Sequence, residues 1–167
     1  NRHVAVAGVD RMILTEQMAV MDLMALGRFV LLPGDDLTLA TVLKGPLIGF
    51  DEDMLFRIAY GRKASLWDAV RAKAEDDPAL TEAHRQLSEM LGMADTMPPF
   101  EFYARVLGPL GGRRKLLARL GRDAEDPLAE FMDLALAFER IHPPSLQGFL
   151  HWLDAGAVEI KRDLEQA

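Results

Sequence analysis

The chain of 167 residues contains no cysteine, which excludes a disulfide scaffold and a thiol nucleophile and fits a reducing compartment. Histidine is scarce as well. Its four copies are scattered, so they do not supply the clustered ligands of a zinc site. Positive charge is outnumbered, 19 Lys and Arg against 26 Asp and Glu, and the net charge of -7 argues against the broad basic face of a free-standing nucleic-acid binder. A local basic patch is compatible with that balance, and any duplex DNA contact through it is expected to be weak. No apolar run reaches the roughly 18 residues of a membrane span, because the best candidate, Met18 to Leu32, is broken by Asp22 and Arg28. A soluble, cytoplasmic protein without a membrane partner is expected.

Several catalytic signatures are also missing. No Gly-rich loop ending in Lys-Ser or Lys-Thr is present, so the backbone cradle and cation that hold a nucleotide triphosphate are not encoded. There is no Gly-x-Ser-x-Gly elbow and no pair of histidines one helical turn apart beside a glutamate. His151 with Asp154 is the nearest metal-like pattern, but two groups three apart give at most two ligands and read as a helix-surface pair. The acid pairs Asp35-Asp36 and Asp76-Asp77 fall at predicted helix starts, where capping and the helix dipole account for them. The expectation is a chain with no catalytic, cofactor or metal site of its own.

What is present is apolar and helical. A hydrophobic share of 50% with only 7% aromatic residues points to one packed helical domain rather than disorder. His3 to Ala7 reads as a short strand ending at Gly8, without an obvious partner. A long apolar helix is predicted from Thr15, its cap, to Leu32, with Met18, Val20, Met21, Met24 and Leu31 buried. Apolarity nearly all round makes it the central helix. Its methionines read either as filler of irregular core space or as a ligand or partner groove, the former being the commoner use.

The stretch Pro33 to Phe56 is predicted as helix, hairpin, helix. Asp35 or Asp36 caps the first helix, with Leu37, Leu39, Ala40, Val42 and Leu43 as its apolar positions, and Gly45-Pro46 ends it. Asp51 caps the second, which carries Met54, Leu55, Ile58 and Ala59. The turn between them, Leu47 to Phe50, reads either as a helical corner with Leu47 and Phe50 buried or as a set of N–H groups able to hold a phosphate. Further helices are expected from Ser65 to about Glu75, Pro78 to about Ala94, Glu101 to Leu107, Asp126 to Ile141, and from a Ser145 cap to a break at Gly156. The only concentrated basic stretch runs from Gly111 to Arg122. Its Arg113, Arg114, Lys115 and Arg119 either grip a phosphate backbone or form a solvated face balanced by nearby acids.

Taken in order, these pieces resemble part of the UvrD/Rep-like superfamily 1 DNA helicases, most closely the AddA-type subunit of double-strand-break repair helicase-nucleases. Ala7-Gly8 resembles the end of the family's Gly-Gly strand turn, Asp22-Leu23 the Asp of its following helix, and Asp35-Asp36 the Asp-Asp before the next one. Leu43 to Phe50 resembles the segment where the family has a Pro, two residues and then Gly-Ile-Gly. Ser65-Leu66-Trp67 resembles its Leu-Trp helix, and Pro144 to Leu150 the segment before the return to the second motor domain. The chain departs from the family at Glu16-Gln17, Ala19 and Asp51, where the family has Glu-Arg, Glu and the second glycine.

The resemblance implies a mainly α, irregular multi-helix bundle inserted in a RecA-like motor domain, with a short N-terminal strand. Residues 1–167 would form one accessory domain, commonly called subdomain 2B, with 1–10 and 157–167 as junctions. This piece would be non-catalytic and need no cofactor, with ATP, Mg and any nuclease belonging to the parent helicase. Its partners would be duplex DNA, the rest of the parent and a second helicase-nuclease subunit. The opening at Asn1 and the charged end from Glu159 to Glu165 agree with a piece of something longer. The DNA-facing candidates are Arg113, Arg114, Lys115 and Arg119, together with Lys44 and Gly49 of the hairpin. Since Asp51 would place a carboxylate where a phosphate would sit, the hairpin itself is expected to be chiefly structural.

Overall fold

A computed structural model describes the backbone of residues 14–166 and the side chains of residues 14–156. The expected strand at 3–7 lies outside the described residues. Those that are described form nine α-helices and one 3-10 turn, and no strand.

Helix α1 (Met18–Leu31) is the axis of the bundle. Val20, Leu23, Leu26 and Phe29 are fully enclosed, and it packs on α2 (Asp36–Lys44), α5 (Pro78–Ala94), α7 (Gly112–Leu120), α8 (Glu125–Ile141) and α9 (Leu146–Gln166). Burying an aliphatic or Phe side chain contributes about 1.5–3 kcal/mol, so this helix supplies much of the core. Two expectations about it fail. Thr15 is not its cap: the helix starts at Met18 after a turn closed by the Gln17 N–H on the Leu14 carbonyl, and Gln17 makes no side-chain capping bond. Met18, Met21 and Leu31 are exposed, the first two at 66% and 51%. The sequence is apolar all round, but the packing neighbours cover only part of the circumference.

Local chemistry sets most other boundaries. Asp35 caps α2 by accepting the Thr38 N–H at 3.2 Å. Asp51 caps α3 (Glu52–Ala59) by accepting the Met54 N–H at 2.8 Å. Ser65 caps α4 (Leu66–Ala72), and Asp77 caps α5, whose first residue is Pro78. α4 stops before the expected Glu75, and Lys73, just past its end, donates to the carbonyls of Arg57, Ile58 and Tyr60. That ammonium satisfies carbonyls left open at the end of α3. Helix α6 (Pro99–Leu107) starts earlier than expected, with Pro99 in its first turn and the Phe100 N–H donated to the Glu139 carboxylate at 2.7 Å.

The opposite half of the core is aromatic. Tyr103 of α6 meets Phe131 of α8 edge-on with ring centroids 4.8 Å apart, and Phe131 meets Phe149 of α9 at 5.4 Å. The buried Tyr103 hydroxyl donates to the Leu23 carbonyl of α1 at 2.8 Å, and burial pushes its pKa far up. Gly27 makes this approach possible. A Cβ there would stand 2.4 Å from Tyr103 Oη and 2.9 Å from Leu150 Cδ1. At the far end α9 runs unbroken through Gly156, which is buried, so the expected break there does not occur. Leu37 is a further correction, since it is 82% exposed although its neighbours Leu39, Val42 and Leu43 are buried.

Candidate nucleic-acid interface

The fold brings together two stretches that are far apart in sequence, the hairpin after α2 and the basic helix α7. Lys115 Nζ of α7 donates to the Leu47 carbonyl of the hairpin at 3.1 Å. Along the same helix, Arg119 Nη2 lies 3.9 Å from the position a Cβ would take on Gly49. Leu47 and Phe50 are buried, as the helical-corner reading expects. Gly49 has φ +85°, a left-handed conformation that a glycine adopts without strain.

Three of the turn's four N–H groups are already taken. Those of Ile48 and Gly49 donate to the Gly45 carbonyl at 3.3 and 2.7 Å, and that of Phe50 donates to the Leu43 carbonyl at 2.8 Å. The Met54 N–H is taken by Asp51. Asp51, Glu52 and Asp53 then add three carboxylates beside the turn. A phosphate would have to displace internal hydrogen bonds and meet negative charge, so Gly49 serves the shape of the corner.

The candidate cations divide into three groups. Lys115 is half-buried and points inward, where its ammonium also donates to Gln86 Oε1 at 3.1 Å, and burial lowers its pKa. Gln86 in turn donates to Glu82, whose pKa is held down to about 2, first by the hydrogen bond from Arg85 and then by that from Gln86. Lys115 therefore belongs to a network joining α5, α7 and the hairpin. Lys44 is paired with Glu52, and Arg113 with Glu125. Arg114 and Arg119 are exposed and form no ion pair among the described residues. Exposed pairs are worth about 0–1 kcal/mol, so Lys44 and Arg113 can exchange their carboxylates for phosphate at small cost, whereas Lys115 cannot.

Sequence reasoning missed one charged residue beside this surface. Asp22 of α1 has its Oδ1 3.1 Å from the position a Cβ would take on Gly45, while its Oδ2 is buried and accepts no hydrogen bond. Burial raises its pKa to about 6, against a smaller lowering by the Arg119 charge. An acid inside the mostly apolar run Met18 to Leu32 was the available signal. His151 and Asp154 do not act as a metal pair, because both Asp154 oxygens accept from Arg28 Nη2, at 3.0 and 3.1 Å. No group of three or more potential metal ligands occurs among the described residues, and no helix among them is long and apolar enough to cross a membrane. Compared with known proteins, the chain matches no protein-family model and no curated protein.

Proposed function

We propose that this chain is a non-catalytic helical accessory module of an ATP-dependent DNA helicase of the UvrD/Rep-like, AddA type, acting in double-strand-break repair and touching duplex DNA weakly. The observation that carries the reading is the juxtaposition of α7 with the Leu43 to Phe50 hairpin, joined by Lys115 and overlain by Arg119. That surface offers exposed cations on a rigid helix and no reactive group, which suits positioning a phosphate backbone rather than chemistry. The ordered sequence resemblance supports the same assignment. In this reading, ATP, Mg, any nuclease and a second subunit belong to the parent. Sequencing the parent gene on both sides tests the proposal. A phosphate loop encoded upstream in the same frame is the expected result, and an open reading frame without one overturns it.

A second reading has its own observation. The exposed Met18, Met21 and Leu37 are what a protein-interaction module would present if it docked a partner subunit without touching DNA. Salt dependence separates the two, because only phosphate neutralisation adds about -0.9 per contact to the log-log slope.

A further inference from the structure

Helices α1 and α2 border an open groove of about 460 Å³. Its apolar lining comes from Met18, Met21, Met24 and Ala25 of α1 and Leu37 of α2, of which Met18, Met21 and Leu37 are exposed. Methionine side chains reshape easily around an incoming apolar surface, which suits a groove that receives a helix. The charged lining is Asp22, Arg28 and Asp154. Arg28 and Asp154 neutralise each other through both carboxylate oxygens. Asp22 forms no ion pair or hydrogen bond among the described residues: its Oδ2 is buried without a partner, and the Arg119 charge offsets its own only in part. A carboxylate in that state is costly until a donor reaches it.

We propose that this groove docks an amphipathic helix of a partner protein that carries one lysine or arginine among its aliphatic residues. The aliphatic side chains lie on Met18, Met21 and Leu37, and the cation closes on Asp22. The charged lining is two carboxylates against one guanidinium and so is net negative, which makes a polyanion the wrong ligand here and a basic apolar segment the complementary one. The inference rests on the second reading above, that the α1 face docks a protein, and adds the chemistry of that partner.

The test uses two synthetic amphipathic helical peptides of about 18 residues, long enough to form stable turns. One has a lysine at the centre of its leucine face and the other has norleucine there. Fluorescence anisotropy against the 167-residue chain should give saturable binding of both, with the lysine peptide about tenfold tighter. Met21→Glu should weaken both by about tenfold or more; if that variant fails to fold by circular dichroism, Leu37→Glu replaces it. Asp22→Asn should erase the preference for lysine while leaving the norleucine peptide bound. Absence of saturable binding by either peptide overturns the docking reading and this inference with it. Equal binding of the two peptides, unchanged in Asp22→Asn, leaves docking standing and overturns the basic partner. A dimer seen by sedimentation and lost in Met21→Glu assigns the face to a second copy and likewise overturns the proposal.

Discussion

Asp22→Asn removes a carboxylate whose Oδ2 the fold buries without a hydrogen bond, so it should raise stability near neutral pH rather than lower it. Burial lifts the Asp22 carboxyl from its ordinary 3.8 to about 6, and the Arg119 charge opposes this only in part. Because the folded value lies above the unfolded one, the native state keeps a proton that the unfolded chain has released between those two values. The associated stability is fully present below the unfolded value and is lost as pH rises through the folded value. The whole span corresponds to about 3 kcal/mol at about 1.4 kcal/mol per pKa unit, and solvent screening of this half-buried group brings it to about 1–2 kcal/mol. Asparagine keeps the shape and does not titrate. Urea unfolding between about pH 4 and 8 should show the original protein losing stability as Asp22 ionises, with the variant flatter and about 1–2 kcal/mol more stable at pH 7. A variant that keeps the original slope, or is less stable at neutral pH, would refute the claim that this carboxylate is buried with too little compensation to offset its desolvation.

Gly27→Ala places a methyl group 2.4 Å from the Tyr103 hydroxyl, and overpacking at such a site costs about 1–3 kcal/mol. Adding Tyr103→Phe, which removes that oxygen, should recover part of the loss in urea unfolding, and strictly additive losses would show that the clash is not the cause. Asp51→Gly should cost only a few tenths of a kcal/mol in capping and, by removing a negative charge beside the hairpin, increase affinity for duplex DNA in anisotropy at low salt. An unchanged or lower affinity would count against the electrostatic account of that turn.

The helical architecture was largely legible in the sequence because its boundaries are set locally. Asp35, Asp51, Ser65 and Asp77 each cap the helix expected of them, and Pro78 sits in the first turn as its fixed φ dictates. Failures arose where long-range packing decides. Met18, Met21 and Leu37 carry the apolar signature of a core yet face outward, because no other described helix lies over that side of α1 and α2. Gly156 reads as a break, but a glycine inside a helix only costs about 1 kcal/mol, and α9 passes through it. At the candidate interface, the cluster Arg113, Arg114, Lys115 and Arg119 was visible as charge. That Lys115 turns inward to Leu47 and Gln86 depends on partners 68 and 29 residues away, which no local pattern encodes. Both a buried corner and a phosphate-holding turn were open at the hairpin because the acceptors of the Ile48, Gly49 and Phe50 N–H groups, the carbonyls of Leu43 and Gly45, become partners only when the corner closes.

Duplex binding measured as a function of salt addresses the central claim most directly. A fluorescein-labelled DNA duplex titrated with the protein between about 20 and 200 mM salt should show weak binding with a log-log slope of about -2 to -4, set by two to four phosphate contacts drawn from Lys44, Arg113, Arg114 and Arg119. Replacing Arg114 and Arg119 together by alanine should make the slope about 2 units shallower, while Lys115→Ala should act through stability. A slope near zero, or tight binding whose slope survives the double substitution, would contradict the assignment of α7 as the DNA-facing helix.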